Sequence, residues 1–218
     1  MQPKHNTILS ALVVIAVIGL LIFGINLIKG TTGSGNNYNF EGITRPIVYP
    51  ETPILSQSNS ELVFFEFGDF SCPSCKAMQP VVSQIKAKYS KDISFAWKNF
   101  AFLGDMSRSA AIAAQCANEQ EKFWTYKSWL FSNQDKFSQE SFIAAAVALG
   151  LERDKFVGCL SNTKIGDIID RDFAETTALG IDSTPTIVIG DIALIGVMPF
   201  EEVERVILQE LVKVESQR

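Results

Sequence analysis

Cys72 and Cys75, with Pro73 and Ser74 between them, are the residues of this chain best suited to carry chemistry. Two thiols at that spacing can close a disulfide with each other and pass it on by attack of one sulfur on another. The β-prone run Glu61 to Phe67 leads into the pair. Pro73 suits the first turn of a helix, where a missing N–H costs little. A cysteine at such a start meets unpaired N–H groups and the positive end of the helix dipole, both of which favour an anion. A thiol in that setting ionises more readily than a free one, whose pKa is ~8.5. Cys72 is therefore expected as the exposed nucleophile. Cys75, one turn further in, is expected as the resolving thiol that attacks a mixed disulfide.

Other chemistry is open to the same spacing. A C-x-x-C pair is also half of a zinc site, which needs a second Cys/His pair nearby. The chain has four cysteines and one histidine; Cys116 and Cys159 are far off in sequence, and His5 lies at the N-terminus. Neither a metal nor a cofactor is expected. An inert structural disulfide between Cys72 and Cys75 is the other bland reading. A cysteine hydrolase is disfavoured, because His5 is the only imidazole available as its base.

The elements that must position the pair follow from periodicity. Glu61–Phe67 reads as a buried central strand, a helix runs from near Pro73 to Tyr89, and Ile93–Phe100 is a second strand, giving a β-α-β unit. A helical block occupies about 104–180: Ser107–Asn118, the aromatic-rich Lys122–Phe131, Ser138–Leu149 behind a Ser N-cap, Asp154–Ser161 and Ile165–Leu179. Thr186–Ile189 and Ile192–Ile195 form a hairpin about Gly190-Asp191, and Phe200–Val214 closes the domain as an amphipathic helix. This order, β-α-β, helices, then β-β-α, gives an α/β fold in which helices flank a mixed sheet.

Ahead of the domain, Ile8–Ile28 is broken only by Gly, Ser10 and Asn26. A stretch of ~20 apolar residues spans a bilayer core of ~30 Å. It exceeds the apolar part of a secretory signal, about 7–15 residues, and no convincing cleavage site follows. Residues 1–29 are therefore expected to hold one uncleaved transmembrane helix. Lys4 before it and Lys29 after it give only a slight preference for a cytoplasmic N-terminus. Residues 30–60, rich in Gly, Ser, Thr, Asn and Pro, read as a flexible extracytoplasmic tether, with a weak edge strand somewhere in Ile43–Leu55. The chain has 218 residues and a net charge of −5, with no Lys/Arg block, which argues against a nucleic-acid partner.

Four segments carry a family resemblance. Glu66-Phe67-Gly68-Asp69-Phe70-Ser71-Cys72-Pro73-Ser74-Cys75 resembles the active-site segment of the DsbA-like thioredoxin family, and Lys76 and Pro80 resemble its active-site helix. Cys116 to Trp124 is similar to the family's helical insertion, and Gly180 to Thr186 to its cis-proline loop. The resemblance covers about residues 60–214 and implies a thioredoxin-like domain over 61–214 with an all-helical insertion. It implies Cys72 and Cys75 as the redox pair, Pro185 as a cis-proline beside them, and Thr184 as a backbone partner for a substrate strand. Glu66 would be the acid under the active site, able to relay a proton to or from Cys75; a strand that alternates could instead turn it to solvent. Asp69 reads as a loop residue. The Pro-Ser dipeptide departs from the Pro-His of the strongly oxidising bacterial enzyme, so the potential is expected between about −120 and −270 mV, the values of that enzyme and of thioredoxin.

Cys116 and Cys159 are spare cysteines, and such residues commonly pair in an oxidising compartment; two separate buried thiols are the alternative. These readings together describe a monomeric, single-pass protein of the cell membrane with its domain outside the cytoplasm. It would exchange disulfides with unfolded or reduced exported proteins, chiefly to form them, and a membrane redox partner would reset it. A reductase, for example in cytochrome maturation, and a non-catalytic membrane-tethered peptide-binding domain are the alternatives.

Overall fold

β-Branched and aromatic side chains fill the strands, and the two central ones are covered on both faces. The computed structural model describes residues 37–39, 45–55 and 61–216, all within the unit Gly35–Arg218. The expected membrane span, Ile8–Ile28, lies outside the described residues. Among those described, no helix is long and apolar enough to cross a membrane.

Strands β1 (Asn37–Asn39), β2 (Ile54–Leu55) and β3 (Val63–Gly68) are followed by helix α1 (Pro73–Tyr89) and strand β4 (Ser94–Asn99). Next come α2 (Asp105–Asn118), α3 (Phe123–Ser132), a 3-10 turn (Gln134–Lys136), α4 (Gln139–Ala148), α5 (Arg153–Leu160) and α6 (Thr163–Ala178). Strands β5 (Thr186–Ile189) and β6 (Ile192–Ile195) and helix α7 (Phe200–Ser216) complete the chain. The sheet order is β1-β6-β5-β3-β4-β2, with β3 and β4 parallel and the other pairs antiparallel. This is the mixed α/β sheet flanked by helices that the element order implied.

The two-residue period of β3 sorts its side chains. Phe64 packs with Met78, Val82 and Ile85 of α1 and Val203, Val206 and Ile207 of α7. Phe65 and Phe67 point to the opposite face, among Ala96, Leu179, Ile181 and Val188. Glu66 shares the direction of Phe64 and so enters the interior. At Gly68, the last residue of β3, a Cβ would meet the Trp97 ring at 2.3 Å, so only glycine fits against it. The insertion packs separately around Phe123, Tyr126, Leu130, Phe142 and Phe156, a cluster that also takes in Phe70 and Trp97.

One boundary needs correction. The segment read as tether contributes β1, which pairs with β6 at one edge of the sheet; β2, the edge strand expected within Ile43–Leu55, pairs with β4 at the other. Residues 45–53, ahead of β2, also lie on the domain. The Tyr49 ring sits 4.5 Å from Lys98 Nζ and 3.8 Å from the Arg171 guanidinium. Gln115 and Asn118 donate to the Glu51 carbonyl, and Glu175 accepts from the Ile47 N–H. Composition argued for free chain here; backbone pairing and cation–π contacts with one tyrosine outweigh it. The 3-10 turn after α3 is a second element that periodicity did not reveal.

Candidate active site

The turn Asp69 to Cys72 joins β3 to α1, closed by the Cys72 N–H on the Asp69 carbonyl at 3.1 Å. The buried Asp69 carboxylate holds this turn to the next loop: Oδ1 accepts from Ser71 N (2.8 Å), and Oδ2 accepts from Phe102 N (3.0 Å) and Leu103 N (3.1 Å). Cys72 is the N-cap residue of α1 and Pro73 opens the helix. No side chain caps this end, and no acidic residue occupies its first turn. The positive end of the helix is therefore left facing the Cys72 residue.

Both thiols are free. Cys72 was expected exposed, but only 7% of it is accessible. The Thr184–Pro185 bond is cis, and its turn covers the sulfur: Cys72 Sγ donates to the Thr184 carbonyl at 3.5 Å. The neighbouring Pro73 and Ser74 are exposed. Cys75 is completely buried, and that burial pushes its thiol up, so it resists losing its proton. Cys72, Cys75, Thr184 and Pro185 are thus brought to one place from opposite ends of the domain.

Glu66 lies inside, not at the surface. Its Oε1 accepts from Gln79 Nε2 at 2.7 Å, and the same nitrogen donates to the Cys75 carbonyl at 2.9 Å. Its Oε2 pairs with Lys127 Nζ at 2.6 Å, and Lys127 also donates to Gln79 Oε1 at 3.0 Å. The ammonium stands 4.9 Å from the Trp97 ring centre and 5.5 Å from that of Trp124. A narrow cavity lined by Glu66, Gln79, Lys86, Trp124 and Lys127 adjoins this group. Sequence reading missed Gln79 and Lys127. The available signal was a single lysine within the aromatic run Phe123 to Phe131.

Cys116 of α2 and Cys159 of α5 form a disulfide across a sequence separation of 43. On the far face of the sheet, Lys98 is fully buried between Asp172 (3.4 Å) and Glu175 (2.8 Å) of α6. Burial pushes the Asp172 carboxyl up, while Lys98 pulls it down. Among the described residues, no group of three or more His, Cys, Asp or Glu is placed to hold a metal ion.

Comparison with known proteins agrees with this architecture. A family model described as Thioredoxin matches residues 49–209. The chain is 26% identical over 154 residues to a Na(+)/H(+) antiporter NhaA 1 of Mycolicibacterium vanbaalenii, covering 69% of this chain and 25% of that protein. It thus spans about a quarter of the length of that antiporter. It is 26% identical over 173 residues to Disulfide bond formation protein D of Bacillus subtilis, covering 73% of this chain and 77% of that one. The crystal structure of the thiol-disulfide exchange protein alpha-DsbA2 from Wolbachia pipientis superposes with a TM-score of 0.68 at 24% identity, over 72% of this chain and 86% of that one.

Proposed function

We propose that this chain, which belongs to the thioredoxin family, performs thiol–disulfide exchange on exported proteins through Cys72 and Cys75, chiefly to form disulfides. The observation that carries this reading is the placement of Cys72 at an uncapped helix start, under the cis Thr184–Pro185 turn, with Cys75 buried one turn behind it.

In the oxidising direction a substrate thiolate attacks Cys72 Sγ and breaks the Cys72–Cys75 bond. Cys75 leaves as a thiolate and takes up a proton, which its burial favours. A second substrate thiol then attacks the mixed disulfide, which leaves Cys72 as thiolate and the substrate oxidised. The Thr184 carbonyl and Pro185 align an extended substrate segment across the sulfur. Gln79 links Glu66 to the Cys75 carbonyl and not to its sulfur, so Glu66 and its partner Lys127 brace the backbone of the resolving cysteine. The resetting oxidant is a membrane redox partner.

The apolar run Ile8–Ile28 supports a single-pass anchor in the cell membrane, with the unit Gly35–Arg218 as a monomeric extracytoplasmic domain. The Cys116–Cys159 bond, read as structural, supports an oxidising compartment. Reduction is the second reading, favoured by Pro-Ser in place of Pro-His between the thiols.

Titration of Cys72–Cys75 against glutathione is expected to give a potential between about −120 and −270 mV. Oxidation of a reduced unfolded substrate faster than reduction of insulin supports disulfide formation; the reverse order supports the reductase. Full biological activity in a Cys72→Ser/Cys75→Ser variant would reject exchange and leave a peptide-binding domain. Protection of Cys72 from an impermeant thiol reagent in intact, reductant-treated cells, with labelling restored once the membrane is permeabilised, would reject the extracytoplasmic placement.

A further inference from the structure

The turn that carries Cys72 is held from outside by one amide. Gln134, in the 3-10 turn after α3, donates from Nε2 to the Phe70 carbonyl at 2.8 Å and to the Cys72 carbonyl at 2.9 Å. The Cys72 carbonyl also accepts the Lys76 N–H of α1 at 3.2 Å. One helical turn before Gln134, the Phe131 ring packs on the Phe70 ring with centres 5.3 Å apart. The same short stretch of the insertion therefore holds Phe70 by its ring and by its carbonyl. Phe70 in turn stacks on Trp97 at 4.7 Å, so this end of the turn is fixed to the sheet.

We infer that Gln134 is a positioning residue for the exchange chemistry, acting on Cys72 through the two carbonyls it binds. The inference rests on the reading of Cys72 as the attacked and attacking sulfur. Its physical basis is local. Each carbonyl oxygen is the negative end of a peptide dipole, and one of the two belongs to the residue that bears the sulfur. When Cys72 ionises, the new charge is repelled by these carbonyl oxygens; without Gln134 the Cys72 oxygen would keep the Lys76 N–H as its donor, but the Phe70 oxygen would lose the amide. The amide of Gln134 supplies two N–H groups to these oxygens and lowers that repulsion. It also keeps the turn from swinging as the sulfur passes between thiol, mixed disulfide and intramolecular disulfide. A thiolate stabilised in the reduced protein makes the disulfide a stronger oxidant, so Gln134 moves both reactivity and redox equilibrium.

The test compares Gln134→Ala, Gln134→Lys and Gln134→Glu in the purified full-length chain. Two readouts are used: the rate of Cys72 alkylation by iodoacetamide at pH 7, and the dithiol–disulfide equilibrium with glutathione. Loss of the donor in Gln134→Ala is expected to slow alkylation about three- to tenfold, the scale of one or two ordinary hydrogen bonds. It should shift the equilibrium toward the disulfide by a similar factor. Gln134→Glu brings negative charge and no donor, slows alkylation further and moves the equilibrium further toward the disulfide. Gln134→Lys restores a donor with positive charge, and returns both to the wild-type value or beyond it.

A purely structural contact would give a different pattern, with all three variants losing thermal stability while rate and equilibrium stay put or move in one common direction. That pattern overturns the inference. Should Gln134→Ala fail to fold, Gln134→Asn, too short to reach both carbonyls, serves in its place with the same expected direction. Wild-type Cys72 reacting no faster than free cysteine would instead remove the exchange reading itself, which keeps the two failures distinct.

Discussion

Lys127 Nζ stands 2.6 Å from Glu66 Oε2, and both residues are buried, one on a helix of the insertion and the other on the central strand that leads to Cys72. A charge from the insertion thus neutralises a charge in the thioredoxin sheet directly behind the redox pair. Gln79 joins them to the backbone of Cys75.

Removal of Lys127 alone should be severe. Lys127→Met leaves a buried carboxylate without its cation, and breaking such a pair costs about 3–5 kcal/mol. Glu66→Leu/Lys127→Met removes both charges and should recover most of that loss. Urea unfolding of the singles and the double measures the coupling; strictly additive losses would contradict it.

The buried Cys75 thiol gives the reduced protein a pH dependence of definite sign. Its folded value is raised by burial above the ordinary 9.0. Below about pH 9 the thiol is protonated in both folded and unfolded chains and contributes no slope. Above it the unfolded chain releases a proton that the folded chain keeps, so stability falls by up to about 1.4 kcal/mol per pH unit. Tyr126, also raised by burial from 10.0, adds a loss above pH 10. Reduced wild type should therefore lose more stability between pH 8 and pH 10 than Cys75→Ala does, as read by urea midpoints.

Asp69→Ala should destabilise the protein by about 3 kcal/mol or more, because the N–H groups of Ser71, Phe102 and Leu103 lose a charged acceptor. Asp69→Asn keeps one acceptor oxygen and should lose less. Thermal unfolding ranks the two. Cys72 alkylation should be altered in both variants, since the same carboxylate fixes the turn that carries the thiol.

Cys116→Ala/Cys159→Ala opens a tie across a separation of 43 residues. The chain-entropy relation gives a loss of up to about 4 kcal/mol. That term acts on the unfolded chain, so Cys72 alkylation in the folded variant should keep its wild-type rate. Denaturant unfolding beside alkylation kinetics checks both halves of the expectation.

The order of elements was legible in the sequence because each rests on neighbours along the chain. The run before Gly68, the proline after Cys72, the Ser138 cap and the 3.6-residue pattern of Phe200 to Val214 are local signals, and the described strands and helices follow them within a few residues. Docking of Tyr49 was not legible, since Lys98 and Arg171 lie on distant elements and only the folded sheet brings them to one ring. Gln134 gave no signal for the same reason.

What the sequence determined by itself is the pair of thiols, their place at a strand-to-helix junction and the fold class, all set by residue type and short-range spacing. Tertiary structure alone decided that Cys72 is nearly covered, that Glu66, expected beneath the pair, meets Lys127 there, and that Gln134 reaches the redox turn. Those outcomes depend on which faces of the strands are buried and by what. Long-range packing settles that, and no local pattern in the chain encodes it.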